Sequence, residues 1–419
     1  MSQILLFDDN LEDGFTLWEP TREAALNRLN TFVPSAGRAY ASQRNYDFGP
    51  NKRGNVSCLS PWVRHRLILE EEILVETLKR HSLSGAEKFI QEVFWRSYFK
   101  GWLEQRPTVW MDYKSDLFDL LERGARCSDF RSRYEEAING NTGVDCFDQW
   151  VQELIVTGYL HNHSRMWFAS IWIFTLRLPW QLGADFFYRY LLDGDPASNT
   201  LSWRWVAGLH TKGKHYLARR SNIEKYTNGR FSPNGLVIDV APLYEDVEHE
   251  RQSLAISSGL NFNDDYGLLI TEEDLHPESL KLPSKPKGIL GLCAIEGRSP
   301  LLVGEKSKQF TKGAIENALT RAEHHFQCDA VYLSFDDWSA TLIDWAHSLG
   351  LRTLVTAHAP VGPVADKIEK ARPILKQAGI SIQFVKRDYD NATWPHTSAG
   401  FFKLKKKIPS LLEGLKLQP

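Results

Sequence analysis

The sequence predicts a two-part chain: an all-α domain over residues 1–230, a connection over 231–265, and a doubly wound, Rossmann-like α/β domain over 266–419. Three observations predict it. Before about Gly235 apolar residues recur at helical spacing and no alternating strand pattern appears. Around residues 231–285 the composition turns polar and acidic (LYEDVEHERQ, NFNDDY), then proline- and lysine-rich (LKLPSKPKG). Beyond that, short apolar runs alternate with amphipathic helical ones, the mark of a parallel sheet with crossover helices.

The elements justify themselves in order. TREAALNRLNTFV sets Ala25, Leu26, Leu29, Phe32 and Val33 on one helical face. RAYASQRNYDFGPNKRGNVSCLSP reads as a polar, basic surface loop. Its Ser57, Ser60 and nearby N–H groups are candidates to cradle a phosphate where a helix begins at Pro61. From Pro61 to Leu121 the pattern is helical, with Phe89, Val93, Tyr98 and Trp102 able to face a core and Glu92 and Arg96 spaced as an i,i+4 ion pair. VDCFDQWVQELIVTGYL continues the helices with Phe147, Val151, Leu154 and Ile155 on one side. Residues 203–230 are densely basic (Arg204, Lys212, Lys214, Arg219, Arg220, Lys225, Arg230), with Trp203, Trp205, Tyr216 and Tyr226 interleaved. Such a run is ordinarily a solvated face, but interleaved aromatics are what a nucleic-acid surface needs. YGLLITEEDL then supplies a strand, followed by GILGLCAI, helix FTKGAIENALTRAEHHF, AVYLSFDD, helix WSATLIDWAHSLG, LRTLVTAHAP, helix VADKIEKARPILKQAG, ISIQFVKRD and a basic helical end, KLKKKIPSLLEGLKL.

Composition removes several function classes. A net charge of −2 over 419 residues means that any nucleic-acid contact comes from a local basic face. The five cysteines are scattered without a CxxC, which argues against a zinc site or a disulfide framework and points to a reducing, cytoplasmic setting. MSQILLFDDN lacks the basic start and long apolar run of a secretory signal. The most apolar stretch, Met166 to Leu182, is broken by Arg177 and Pro179 and is too short to span a bilayer. The α/β part carries neither GxGxxG nor a GxxxxGK[ST] loop, so a dinucleotide or NTP site there has no support. His161 and His163, two apart on a helix, diverge and make no metal site.

One stretch resists explanation by packing. Between Gly140 and Trp205, Asn162, Arg165, Asp193, Asp195 and Asn199 stand among apolar and aromatic residues, a set suited to a flat, charged ligand. Asp193-Gly194-Asp195 followed by Pro196 is a turn entering a helix.

At these residues the sequence resembles the FAD-binding domain of the cryptochrome/photolyase family, over roughly residues 15–206. LSP (Leu59–Pro61), EVFWR (Glu92–Arg96), TGYLHNHSRM and DGDPASNTLSWRW occur in family order and spacing. The resemblance implies FAD folded inside the helical domain. Tyr40, Ser57, Leu59 and Ser60 then meet its phosphates, and Arg96 helps to hold it. Asn162, Arg165, Asp193 and Asp195 lie by the flavin ring, with Asn199 facing flavin N5. Trp203 and Trp180 match the proximal and middle members of the family's electron-transfer chain. The usual distal tryptophan is missing near Cys127, and Tyr134 and Trp150 are substitutes that spacing does not support. Glu92, Trp95, Asn162, Met166 and Trp205 correspond to the pocket that receives damaged bases. Asn162 and Met166 match members that repair cyclobutane pyrimidine dimers, where (6-4) repairers carry histidines. GLLITEEDLHPESL resembles the opening of the family's α/β antenna domain, which ordinarily comes first, so the arrangement reads as circularly permuted. A second, antenna chromophore is left unidentified.

The implied activity is light-driven repair of dimers in UV-damaged DNA, single-stranded DNA remaining open as a substrate, with Lys212, Lys214, Arg219 and Arg220 gripping the backbone. The rival reading is a cryptochrome-like blue-light receptor that uses the same flavin without repair. A light-independent helical scaffold leaves the polar set unexplained. No membrane and no obligate protein partner is implied.

Overall fold

The computed structural model describes residues 18–254 and 265–418. MSQILLFDDN and most of NFNDDY lie outside them. The described part of 18–254 contains twelve α-helices and no strand. Helix α1 (Arg22–Phe32) starts at Thr21, whose hydroxyl caps Ala24 N, and buries Ala25, Leu29 and Phe32. The segment read as a loop begins instead with a helix, α2 (Arg38–Gln43), because buried Tyr40 packs between Phe32 and Phe89 and anchors it. After α3 (Ser60–Arg64) and α4 (Glu70–Arg80) comes α5 (Glu87–Glu104), which buries Phe89, Val93 and Tyr98. The rest are α6 (Thr108–Arg126), α7 (Ser128–Asn139), α8 (Asp145–Thr157), α9 (Asn162–Ser170), α10 (Trp180–Tyr190), α11 (Pro196–Ala207) and α12 (Arg220–Tyr226). Helix α9 runs on into a wide π-turn over Ile171–Thr175, where Leu176 N bonds to Ile171 O.

The second part is a five-stranded, wholly parallel sheet in the order β3-β2-β1-β4-β5, from β1 (Tyr266–Thr271), β2 (Gly288–Leu292), β3 (Ala330–Tyr332), β4 (Thr353–Ala357) and β5 (Ser381–Val385). Strands β1, β2 and β4 are buried throughout, as a sheet covered on both faces requires. Helix α13 (Glu305–Phe326) covers one face and shares a core with α1, α4 and α5, while α14 (Trp338–Ser348) and α15 (Pro363–Gln377) cover the other. The chain end departs from the expected boundary at 266–419. Helices α16 (Asp388–Thr393), α17 (Phe401–Lys405) and α18 (Ile408–Gly414) leave the sheet, and Tyr389, Phe401, Leu404 and Leu412 join the core of the first part. Their apolar faces are satisfied by α5 and its neighbours, which sequence periodicity alone does not identify.

A dry ionic seam joins the two parts. The TEED segment at the end of β1 sends Glu273 into a bidentate pair with Arg64, while Asp274 pairs with Arg387 and Arg66. Arg64 also donates to Gly194 O. Among the described residues no helix is long and apolar enough to cross a membrane.

Candidate flavin and nucleic-acid site

The site is assembled by three local devices. Asp195 caps α11 by accepting from Ser198 N at 2.8 Å, with Pro196 in the first turn, as the Asp-Gly-Asp-Pro signal predicts. This sets Asn199 one turn in, where its amide nitrogen donates to Ala184 O at 2.8 Å. A carbonyl can only accept, so the amide nitrogen faces Ala184 and the side-chain oxygen is what Asn199 has to offer a ligand. At the start of α9, Arg165 forms a bidentate pair with Asp193 at 3.0 and 2.9 Å and lies over the ring of Tyr159. The Ser57-Cys58-Leu59 turn is held by Arg28, whose Nε donates to Ser57 O at 2.7 Å. Cys58 adopts a left-handed φ of 54°, a strained state that a non-glycine residue keeps only where its surroundings impose it.

Burial separates the candidates. Asp195 is 1% exposed and sits 2.9 Å from Lys100 and 3.8 Å from both Arg96 and Arg64. Burial pushes its carboxyl up, but these three cations outweigh burial and hold it well below the usual carboxylate range. Ser57, Ser60, Glu92, Trp95, Arg96, Arg165, Met166 and Trp205 are half-buried, and Asn162 is exposed. Asp193 and Asn199 are buried.

The expected Glu92–Arg96 pair does not form. Glu92 pairs with Arg44, the residue just past α2, and Arg96 turns to Glu70, to Asp195 and to the Arg64 carbonyl. The reason is burial, because those acids lie on the dry side of α5 and a guanidinium among them is worth more than a solvated i,i+4 contact. Burial raises the Glu92 carboxyl despite Arg44. Tyr40 neighbours this pair, its phenol pushed up by burial and by Glu92.

The two candidate pocket walls differ. Trp205 stacks on Tyr216 at 5.8 Å, whereas Trp95 lies flat against Phe401 of α17, with centroids 3.7 Å apart and planes at 11°. Trp203 is 2% exposed, and its ring neighbours are Phe168, Trp172 and Phe187. Trp180 stacks instead on Tyr113 at 5.8 Å. Lys212, Lys214, Arg219 and Arg220 are all exposed, with Lys212 facing Glu248 and Arg220 bonded to Ser232 and Asn234. His161 donates no metal-like arrangement: its Nδ1 accepts from His163 N, and His163 stacks on Trp167. No metal-binding cluster is found among the described residues.

Sequence reasoning missed Lys100, Arg64, Arg44 and Trp172. Lys100 was within reach, since Glu92, Arg96 and Lys100 recur every four residues along one stripe of α5. Arg64 and Arg44 find acids distant in sequence, and no local signal marks them.

The donor set suits FAD. Hydroxyls lie at the strained Ser57–Ser60 turn, and an arginine–carboxylate pair and an amide oxygen lie at the start of α9 and α11. Residues 89–239 match the family model described as the FAD binding domain of DNA photolyase. A deoxyribodipyrimidine photo-lyase of Thermus thermophilus is 32% identical over 211 residues, covering 49% of this chain and 47% of that protein. One from Agrobacterium fabrum is 30% identical over 203 residues, covering 48% and 41%. A bacterial class III photolyase structure from Agrobacterium tumefaciens aligns with a TM-score of 0.43 at 26% identity, over 50% of this chain and 43% of the other. The chain thus spans about half the length of the curated relatives it matches.

Proposed function

We propose that this chain, whose residues 89–239 match the FAD binding domain of DNA photolyase, is a member of the cryptochrome/photolyase family that repairs cyclobutane pyrimidine dimers in DNA under blue light. The observation that carries the reading is the bidentate Arg165–Asp193 pair inside the matched segment, which also contains Asn199 and the half-buried Glu92, Met166 and Trp205. When bound, FAD supplies a donor that light can excite. The chain's own residues hold and tune it. Arg165 and Asp193 would hold the edge of the ring and the Ser57–Ser60 turn the phosphates, while Asp195 sits among three cations. The Asn199 amide nitrogen is taken by Ala184 O, so its side-chain oxygen, an acceptor, would favour the protonated N5 of a reduced flavin over the bare N5 of the oxidised ring.

The lesion reaches such a site flipped from the stack, at a cost of a few kcal/mol that is smaller for damaged or single-stranded DNA. Trp205 offers a stacking surface worth about 1–3 kcal/mol per base. Burial raises the Glu92 carboxyl against the pull of Arg44, and in its protonated form it would donate to a pyrimidine carbonyl as charge develops there. The sheet part following the helical one is read as a permuted antenna domain.

The test is an absorption spectrum of the purified protein followed by a repair assay on irradiated thymine oligonucleotides, single- and double-stranded. Flavin bands with light-dependent loss of dimers are the expected result; flavin without repair on either substrate rejects the activity. One observation favours the receptor reading: Phe401 already covers a face of Trp95. A Phe401→Ala variant that gains repair activity absent from the parent would support that reading for the chain as it stands. Asn199→Ala should keep FAD bound while shortening the life of the reduced state, measured by its reoxidation rate in air.

A further inference from the structure

We infer that electrons enter the flavin of this chain from the surface along Tyr134, Trp172 and Trp203, bypassing Trp180; the inference rests on the flavin reading above. The geometry of three rings carries it. Trp203 and Trp172 meet edge to face at 6.2 Å between centroids and 87°, and Trp172 meets Tyr134 at 6.2 Å and 82°. Trp203 is 2% and Trp172 0% exposed, whereas Tyr134 on α7 is half-buried and reaches the surface. The two indoles meet because α10 has Gly183 beneath them. A Cβ there would fall 2.3 Å from Trp203 and 2.9 Å from Trp172. Trp172 itself sits in the π-turn at Ile171–Thr175, an irregularity that offsets its side chain from the regular helical row and that proteins tend to retain at working sites.

The surroundings of the two candidate relays differ in the same direction. Trp172 lies among Phe147, Phe168 and Phe186 and donates Nε1–H to Pro179 O at 2.9 Å, a carbonyl dipole that favours the positive charge left when the ring gives up an electron. Trp180 carries the Arg204 guanidinium 5.8 Å from its ring centroid, with half-buried Glu245 paired to that guanidinium through both carboxylate oxygens. A cation attracted to a neutral ring repels the same ring once it is oxidised. Trp180 leads on to Tyr113, whose buried phenol has no hydrogen-bond partner and no route for its proton. Tyr134 accepts from Arg189 Nη2 at 3.2 Å, and Arg189 is itself neutralised by Asp185 at 2.8 Å.

The steps balance. Trp203 gives one electron to light-excited oxidised flavin and is refilled from Trp172, which is refilled from Tyr134. Tyr134 thereby loses one electron and releases its phenolic proton to solvent. A soluble thiol then returns a hydrogen atom to the tyrosyl oxygen and becomes a thiyl radical.

The experiment illuminates the flavin-loaded protein without thiol and records its radical by electron paramagnetic resonance, for the parent and for Trp172→Phe, Tyr134→Phe and Trp180→Phe. Flavin content and thermal midpoint of each variant serve as checks that neither the cofactor nor the fold has been lost. The parent and Trp180→Phe should give a tyrosyl spectrum. Tyr134→Phe should leave a tryptophanyl spectrum in its place, and Trp172→Phe should lose the tyrosyl signal. A tyrosyl signal surviving in Tyr134→Phe, or lost in Trp180→Phe but kept in Trp172→Phe, overturns the route. A parent purified without flavin overturns the flavin reading and the route with it, whereas a flavin-loaded parent whose radical lies elsewhere overturns the route alone.

Discussion

Two charged sets in this chain handle water in opposite ways, and Asp195 belongs to the drier one. The seam is dry. Arg64, Arg66, Asp195, Glu273, Asp274 and Arg387 are each under a tenth exposed and pair almost wholly with one another. The candidate flavin and lesion residues are wetter, and Arg165, Glu92, Met166 and Trp205 are each only half-buried. Charges of both sets are paired within the chain, but those of the seam are cut off from water while Arg165 and Glu92 stay partly exposed to it. Charge alone therefore does not mark a binding site; charge left partly open to water is the better mark. Position in the sheet misleads in the same way. The ends of β1 and β4 flank the point where strand order reverses, the usual ligand crevice of an open α/β sheet. Here the TEED segment at that point is taken up by helical-part cations.

The sharpest way to break the comparison is to remove a seam cation. Arg64→Ala leaves Glu273 without its bidentate partner and Gly194 O without its donor. Stripping one partner from a buried pair costs about 3–5 kcal/mol, so the urea midpoint should collapse. A loss below about 1 kcal/mol, the range of exposed pairs, would mean that the seam is wet. Next in size is Glu272, fully buried beside Glu273, whose carboxyl is raised by burial and by that neighbour to about 7 from 4.5. A folded-state value raised above the unfolded one gives a contribution that is intact below about 4.5 and lost as pH climbs through 7. The gap amounts to roughly 3 kcal/mol at most. Glu272→Gln keeps an acceptor for Ala294 N, so it should raise the urea midpoint at pH 8 and leave it nearly unchanged at pH 4. In the half-buried set the corresponding change is milder. Trp205→Ala removes stacking and no charge, so lesion-bearing DNA should lose about 1–3 kcal/mol of binding while undamaged DNA loses little.

What was legible in the sequence follows the same division. The helix-to-sheet order, the helical periods of α1, α5 and α8, and the five sheet strands came from local patterns that local geometry enforces. So did the Asp195 cap, since a cap is a contact three residues long. The Arg165–Asp193 pair was anticipated from family resemblance, not from spacing. The return of α16 to α18 onto α5, the stack of Phe401 on Trp95 and the Arg44–Glu92 pair join residues far apart in sequence, and nothing near any of them announces the other. Trp172 was passed over because an apolar helix gives every buried tryptophan the same bland signature. Only the π-turn and the facing Gly183 set it apart.

The smallest effect separates residues within the basic face itself. Lys214 and Arg219 are exposed and have no ion-pair partner among the described residues, while Lys212 faces Glu248 and Arg220 is bonded to Ser232 and Asn234. A cation already bonded to its own chain must give up that contact to meet a phosphate, so it gains less. Each phosphate neutralised on duplex DNA contributes a slope of about −0.9 in log affinity against log salt, or about −0.7 on a single strand. Lys214→Ala and Arg219→Ala should therefore each flatten the slope by close to one contact, a change of under about twofold in affinity for a doubling of salt. Arg220→Ala should flatten it less. Flavin content and spectrum should stay as in the parent, because none of these side chains reaches the Arg165–Asp193 pair. Salt titrations on damaged and undamaged oligonucleotides, single- and double-stranded, read the slopes directly. Equal flattening by all three variants would mean that the Ser232 and Asn234 contacts do not restrain Arg220 in solution. No flattening by any would move the DNA face away from residues 204–230, toward the Arg44–Arg53 loop beside Glu92.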